Sequence, residues 1–192
     1  MANNSSTGGY LAASGTPPLD DQALDRFFHD LIAGVLAFDP TLVRPRWLPS
    51  PGNMPAQGIN WIAQGVTDRI DEGTVWQYFD QTTNTFQVVR NQELINLVSF
   101  YGVNASGNES NLRDGLALDQ NREAINLQGI SLVRVGDARN ASTLLNEQWQ
   151  KRIDVQIRFR RQIVRTYPVL NILTGAVEII TDTGLTEVVS IT

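Results

Sequence analysis

Few residues in this chain could perform covalent or acid–base chemistry. Its 192 residues include one histidine, His29, and no cysteine. Without a thiol there is no thiolate nucleophile, no disulfide and no cysteine-based zinc site. His29 falls beside Asp25, Arg26 and Asp30 on the polar side of an apolar helical stripe, which suits an exposed surface histidine better than a general base. A serine triad would have to use that single imidazole, and the chain has no G-x-S-x-G elbow. It also lacks the phosphate-cradling runs G-x-x-x-x-G-K-[ST] and G-x-G-x-x-G. Asp20 and Asp21 adjoin a helix start and read as capping residues rather than a catalytic dyad. The acidic run Asp68, Asp71, Glu72 does not follow the spacing of a calcium loop and reads as a turn beside Gly73. No catalytic residue, metal or cofactor is expected, and the chain is not expected to be an enzyme.

The remaining chemistry is that of arginine. The formal net charge is −5, yet six of the fifteen basic residues fall in "KRIDVQIRFRRQIVRTYPV", 151–169. Lys151 is the sole lysine. Non-specific nucleic-acid binders usually carry a positive field and many lysines, whereas arginine's planar fork also suits bidentate pairing with carboxylates across protein interfaces. Phe159 could stack on a base, but the alternation Ile153, Val155, Ile157, Phe159 puts it on the apolar face. Protein–protein contact is therefore preferred to nucleic-acid binding. The candidate contact residues are Arg158, Arg160, Arg161 and Arg165, together with Trp47. Nine acids oppose four arginines through residue 80, so the acidic amino-terminal half could supply partners.

These side chains need a scaffold. Leu24, Phe27, Phe28, Leu31, Ile32, Val35 and Phe38 form a helical stripe, predicting a helix over about Leu19–Phe38 that ends at Asp39-Pro40. Strands are predicted at Ile59–Val66, Val75–Phe79 and Phe86–Val103, the last two joined by the turn Asp80–Asn84. Alternation slips near Gln92–Ile95, where a bulge would restore the face. Asn108–Gly129 reads as two short helices, capped by Asn108 or Ser110 at one end and Gly129 at the other. Strand follows at Ile130–Val135 and over 148–167, with a loop at Gly136–Ser142 and short candidate strands at Ala176–Ile180 and Glu187–Ile191. Fully extended, 151–167 would span about 56 Å at about 3.3 Å per residue. A compact globule of this size is roughly 40 Å across. The long strand must therefore bend, with the register breaking at Arg160-Arg161, or project to meet another chain.

The expected organisation is a flexible arm over 1–15, one α+β domain over 16–172 and a carboxy-terminal extension with short strands over 173–192. The small, polar Met1–Gly15 stretch resembles neither a signal peptide nor a membrane anchor. Within the domain, 44–58 carries Pro45, Pro49, Pro51 and Pro55 and reads as an extended connector. Trp47 at its start packs on its own domain or on a neighbour.

The strings "PPLDDQALDRFFHDLIAGV", "VRPRWLPSP", "NWIAQGV", "VSFYGVNA", "LRDGLALDQNREAINLQGISLV" and "LNEQWQKRIDVQIRFRRQIVRTYPVLNI" resemble the neck or tail terminator proteins of contractile-tailed bacteriophages. The likeness runs from about Gly9 to Ile172. It implies a mostly antiparallel sheet flanked by helices, in a structural virion protein made in the host cytoplasm and placed at the tail–neck junction. The resemblance further implies a homo-oligomeric ring, a hexamer, that ends tail-tube growth and joins the tail to the head connector. The implied partners are other copies of the chain, the tail tube protein, the head–tail connector or adaptor and the terminal sheath ring. Genomic DNA would pass the channel without specific binding, and acids such as Asp68, Asp71 and Glu72 would suit such a lumen. Two alternatives are a head–tail adaptor or stopper of the neck and, from another class, a stand-alone nucleic-acid-binding protein. No membrane role is expected.

Overall fold

A computed structural model describes residues 9–47, 55–56, 58–83, 85–145 and 147–169, and the backbone of 175–180 and 186–191. Helix α1 spans Asp21–Leu36. A 3-10 turn at Pro40–Leu42 leads into β1, Val43–Pro45. Then come β2, Trp61–Asp80, and β3, Thr85–Tyr101. Helices α2, Ala105–Ala117, and α3, Asp119–Asn126, follow. Strands β4 to β8 cover Ile130–Val135, Arg139–Asn140, Thr143–Leu145, Gln148–Gln150 and Arg152–Tyr167. Strands β9, Gly175–Ile180, and β10, Thr186–Ile191, pair as an antiparallel hairpin. The arrangement is the expected α+β class, with a mostly antiparallel, mixed sheet.

The main sheet has the order β1-β2-β3-β8-β4, with β5 also paired to β8. β1 runs parallel to β2, with Val43 opposite Ile62, while β4 and β5 run antiparallel to β8. Contacts divide the chain into two units. The larger is Pro17–Val75 with Val89–Val164; the smaller is Trp76–Val88 with the described parts of Met1–Thr16 and Arg165–Thr192.

The larger unit holds the core. The predicted helical stripe delivers Leu24, Phe28 and Ile32 onto the sheet, where they meet Ile62, Leu94, Val98, Phe100, Val155, Ile157 and Phe159. Leu112, Leu116 and Ile125 of α2 and α3 complete it. The Phe28 and Phe159 rings lie 4.9 Å apart. Each such side chain contributes about 1.5–3 kcal/mol on leaving water. Gly115 lets α2 approach α1, because a Cβ there would overlap the Val35 side chain. Two buried amides add ties: Gln64 Nε2 donates to the Asp25 carbonyl at 3.0 Å, joining β2 to α1, and Asn96 Oδ1 accepts from the Gly65 N–H at 3.0 Å, joining β3 to β2.

Several boundaries differ from expectation, each for a local reason. The helix stops at Leu36 rather than running to Phe38, because Ala37 turns left-handed (φ 48°). Asp39 then caps the 3-10 turn by accepting from Thr41 N–H at 2.9 Å. Asp20 precedes α1 without a side-chain cap bond, its carboxylate being taken by Arg161. The second helix begins at Ala105, ahead of both proposed caps, and Leu118 separates it from the third as foreseen. The expected loop over 136–142 contains β5, and the long strand expected over 148–167 is interrupted at Lys151. Asp68–Gly73 is no turn: β2 runs unbroken through it, with Asp71 paired to Arg90 and Glu72 to Arg160. From Leu94 to Phe100 residues of both parities are buried, Ile95 and Ser99 as well as Leu94, Val98 and Phe100, which accounts for the slip in alternation.

Candidate assembly interface

The alternation of β8 decides where its arginines point. Val155, Ile157, Phe159, Arg161 and Ile163 are all buried, while Gln156, Arg158, Arg160 and Gln162 are exposed. The register therefore does not break at Arg160-Arg161. Polarity changes while parity holds, and Arg161 occupies an apolar-face position. At 5% exposure it donates to Gln92 Oε1 at 3.0 and 2.7 Å, to Asp20 Oδ1 at 2.6 Å and to the Leu19 carbonyl. It is an internal tie between β8, β3 and the start of α1, with its donors directed into the chain.

Arg158 and Arg160 face outward from the same strand. Arg158 Nη1 pairs with Glu93 at 3.1 Å and Arg160 Nε with Glu72 at 2.8 Å, leaving the two arginine side chains 48% and 53% exposed. The hydrogen bond and charge of Glu72 hold the Arg160 guanidinium above its ordinary value. Arg165 is half-buried and belongs to the smaller unit. Of the three candidate channel acids, Asp71 accepts from Arg90 at 2.7 Å and from Gln92 at 2.9 Å, and Glu72 is taken by Arg160. Asp68 is exposed and makes no ion pair among the described residues.

Trp47 is 59% exposed. Its ring lies against Gly65, where a Cβ would come within 2.7 Å of it, so it rests on its own unit while keeping one face bare. It borders a cleft of about 760 Å³ with Asp25, His29, Val66 and Arg69. Burial pushes the Asp25 carboxyl up, partly opposed by Arg69. His29 is half-buried there, Nε2 donating to the Pro40 carbonyl at 3.0 Å and Nδ1 lying 2.8 Å from Asp30. Of the proline-rich connector, 48–54 and 57 lie outside the described residues, as do 1–8 of the expected arm.

Behind the core, the sheet's other face carries a polar network. Trp61 and Tyr101 stack at 4.0 Å, and the Arg152 guanidinium lies 5.6 Å over Tyr101. Arg152 forms a fork on Asp154 at 2.7 Å, Ser99 Oγ donates to Asp154 at 2.5 Å, and Arg46 donates to Ser99 at 2.5 Å. These bonds order the face; they bring no nucleophile and base together.

Exposed apolar side chains are the feature that the charge-based reading missed. In the smaller unit, Trp76 is 73% and Tyr78 50% exposed, with Phe79 against Phe86 at 5.8 Å. In the larger unit, Trp149 is 72%, Leu144 60% and Leu127 84% exposed. The sequence did hold a signal for the first group: in "TVWQYF" apolar residues occupy both parities, so the strand has no polar face to give to solvent. Bare aromatics of this kind mark surfaces that another chain covers. Among the described residues no group of three His, Asp or Glu side chains could hold a metal, and no helix is long and apolar enough to cross a membrane.

A family model described as phage neck terminator protein matches residues 22–184. No curated protein matches the chain.

Proposed function

The chain belongs to the phage neck terminator family, a structural component of the virion neck, and from that premise we propose that it closes into a ring of six copies at the head-proximal end of a contractile tail. The ring ends tube growth below and meets the head connector or adaptor above, with the last sheath ring at its side. It is made in the host cytoplasm and acts by contact, without catalysis. The observation that carries this reading is the bare aromatic strand of Trp76 and Tyr78, which gains nothing from solvent and is suited to burial against another chain.

The outward arginines fit the same role. Arg158 and Arg160 hold one acid each within the chain and keep half of their surface for a neighbour, and Arg165 extends the same strand. Arg161 drops out of the contact set because its donors are directed inward. Trp47 offers its free face. Asp68 is the candidate channel-facing acid with no cation partner among the described residues, while Asp71 and Glu72 would present carboxylates already shared with arginine. A lumen of that character would let DNA pass without holding its phosphates.

Native mass across a concentration series, with electron micrographs of the same fractions, tests the reading. Six-membered rings are expected, alone or on added tail tubes. A chain that stays monomeric under both conditions overturns it. Phage lacking the protein should carry overlong tails; tails of normal length lacking heads would indicate an adaptor or stopper instead.

A further inference from the structure

A closed ring needs two different surfaces on every copy, one received by the other. The larger unit carries such a pair, and this inference rests on the ring reading above. The first surface is a groove of about 610 Å³ between α1 and α3. Leu19, Ala23, Phe27 and Leu31, spaced four apart, form one wall, and Ala124 and Ile125 form the other. Arg26 and Asp30 also line it, both exposed; Asp30 lies 2.8 Å from His29 Nδ1, while Arg26 has no ion pair among the described residues. The second surface is the β6–β7 hairpin. Leu144 and Trp149 are cross-strand partners and project on one side of it, 60% and 72% exposed. Glu147, in the connecting turn at φ 64°, is exposed and likewise has no ion pair among the described residues.

We propose that the Trp149–Leu144 side of this hairpin seats in the α1–α3 groove of the next copy, with Glu147 meeting Arg26. The chemistry fits on three counts. An apolar groove of this volume is in the range that takes one large aromatic with a branched aliphatic neighbour. Trp is the residue type that most often anchors an interface when a pocket receives it. The two unpaired charges, one on each surface, are of opposite sign. Because groove and hairpin are different surfaces of the same chain, the contact can propagate head to tail, and a rotation that closes gives a ring.

Full-length variants test the contact. Trp149→Ala should raise the concentration for half-assembly about thirtyfold or more, with an unchanged melting curve because the side chain is mostly exposed. Arg26→Glu and Glu147→Arg should each weaken assembly, and the double exchange should restore it. The chain has no cysteine, so a short bis-maleimide gives a clean second readout. E147C mixed with R26C should yield covalent dimers, and neither alone should. Rings that form in the wild type and persist unchanged in W149A, without cross-linking of the mixture, overturn this contact and leave the ring reading standing. A wild type that forms no ring, alone or on tail tubes, overturns both.

Discussion

The two ends of β2 both carry apolar strand-forming residues and live in different surroundings. From Trp61 to Gly65 every residue is buried, and Ile62 is wholly so; from Thr67 to Phe79 nearly all are exposed, Trp76 at 73%. Strand formers occur at both ends, Trp61 and Ile62 in the first stretch and Ile70, Val75, Trp76 and Tyr78 in the second, so propensity alone does not set their burial. The difference lies in what covers each stretch. Helix α1 brings Leu24 and Phe28 into the core that holds Ile62, whereas Trp76 and Tyr78 stay largely exposed among the described residues. Apolar surface in the first stretch stabilises the fold; in the second it is available for another chain.

The contrast yields graded expectations. The largest effect is in the covered region. Phe28→Ala removes a wholly buried ring that touches Phe159 and should cost about 3–5 kcal/mol in urea unfolding. Arg161→Ala comes next. It leaves Gln92 beside a buried gap and removes one of the cations beside Asp20, which keeps Arg69 at 3.6 Å, and should cost about 2 kcal/mol. Arg160→Ala, one residue away on the solvent side, should leave the unfolding midpoint unmoved; equal losses at the two positions would break the parity argument for β8.

Titration probes smaller effects. Burial holds the Asp25 carboxyl above its ordinary value of 3.8, so the folded state binds that proton more tightly than the unfolded state. Its contribution is present at low pH and is lost as pH rises through the raised folded value. Asp25→Asn should therefore raise the melting temperature modestly at pH 7 and leave it unchanged at pH 3. Asp80 is the opposite case: bonds from Thr83 and Thr82 hold its carboxyl below 3.8. Its stabilisation is present above that value and is lost as pH falls through the lowered one, so Asp80→Asn should lower the melting temperature at pH 7 and not at pH 2. The smallest expected change in monomer stability is for Trp76→Ser with Tyr78→Ser, which should leave unfolding untouched while preventing assembly. A large loss of monomer stability in that variant would mean that the aromatics belong to the fold rather than to a partner.

Much of the scaffold was legible because it rests on periodicity. The apolar stripe of α1 from Leu24 to Val35, the break between α2 and α3 near Leu118, and the alternation of β8 from Ile153 to Phe159 all follow from residue spacing. The reading failed where charge was taken as punctuation. Asp68, Asp71 and Glu72 suggested a turn, yet Arg90 and Arg160 pair two of them across the sheet, so the strand continues. It failed again at Arg161, whose charge suggested exposure, because nothing in the sequence shows Gln92, Asp20 and the Leu19 carbonyl converging from distant positions. Nothing in the sequence marks Leu144 and Trp149 as exposed, because a leucine pair and a lone tryptophan between glutamines read alike whether covered or bare.

The sequence by itself determined the α+β class, the helix-packed core, the absence of cysteine chemistry and the resemblance to neck terminators, since composition and period are properties of the linear chain. Only the tertiary structure decided which arginine faces inward, which acids are already paired and which aromatics remain uncovered. Those outcomes depend on residues far apart in the chain meeting in space, and burial and pairing are properties of that meeting rather than of any single stretch.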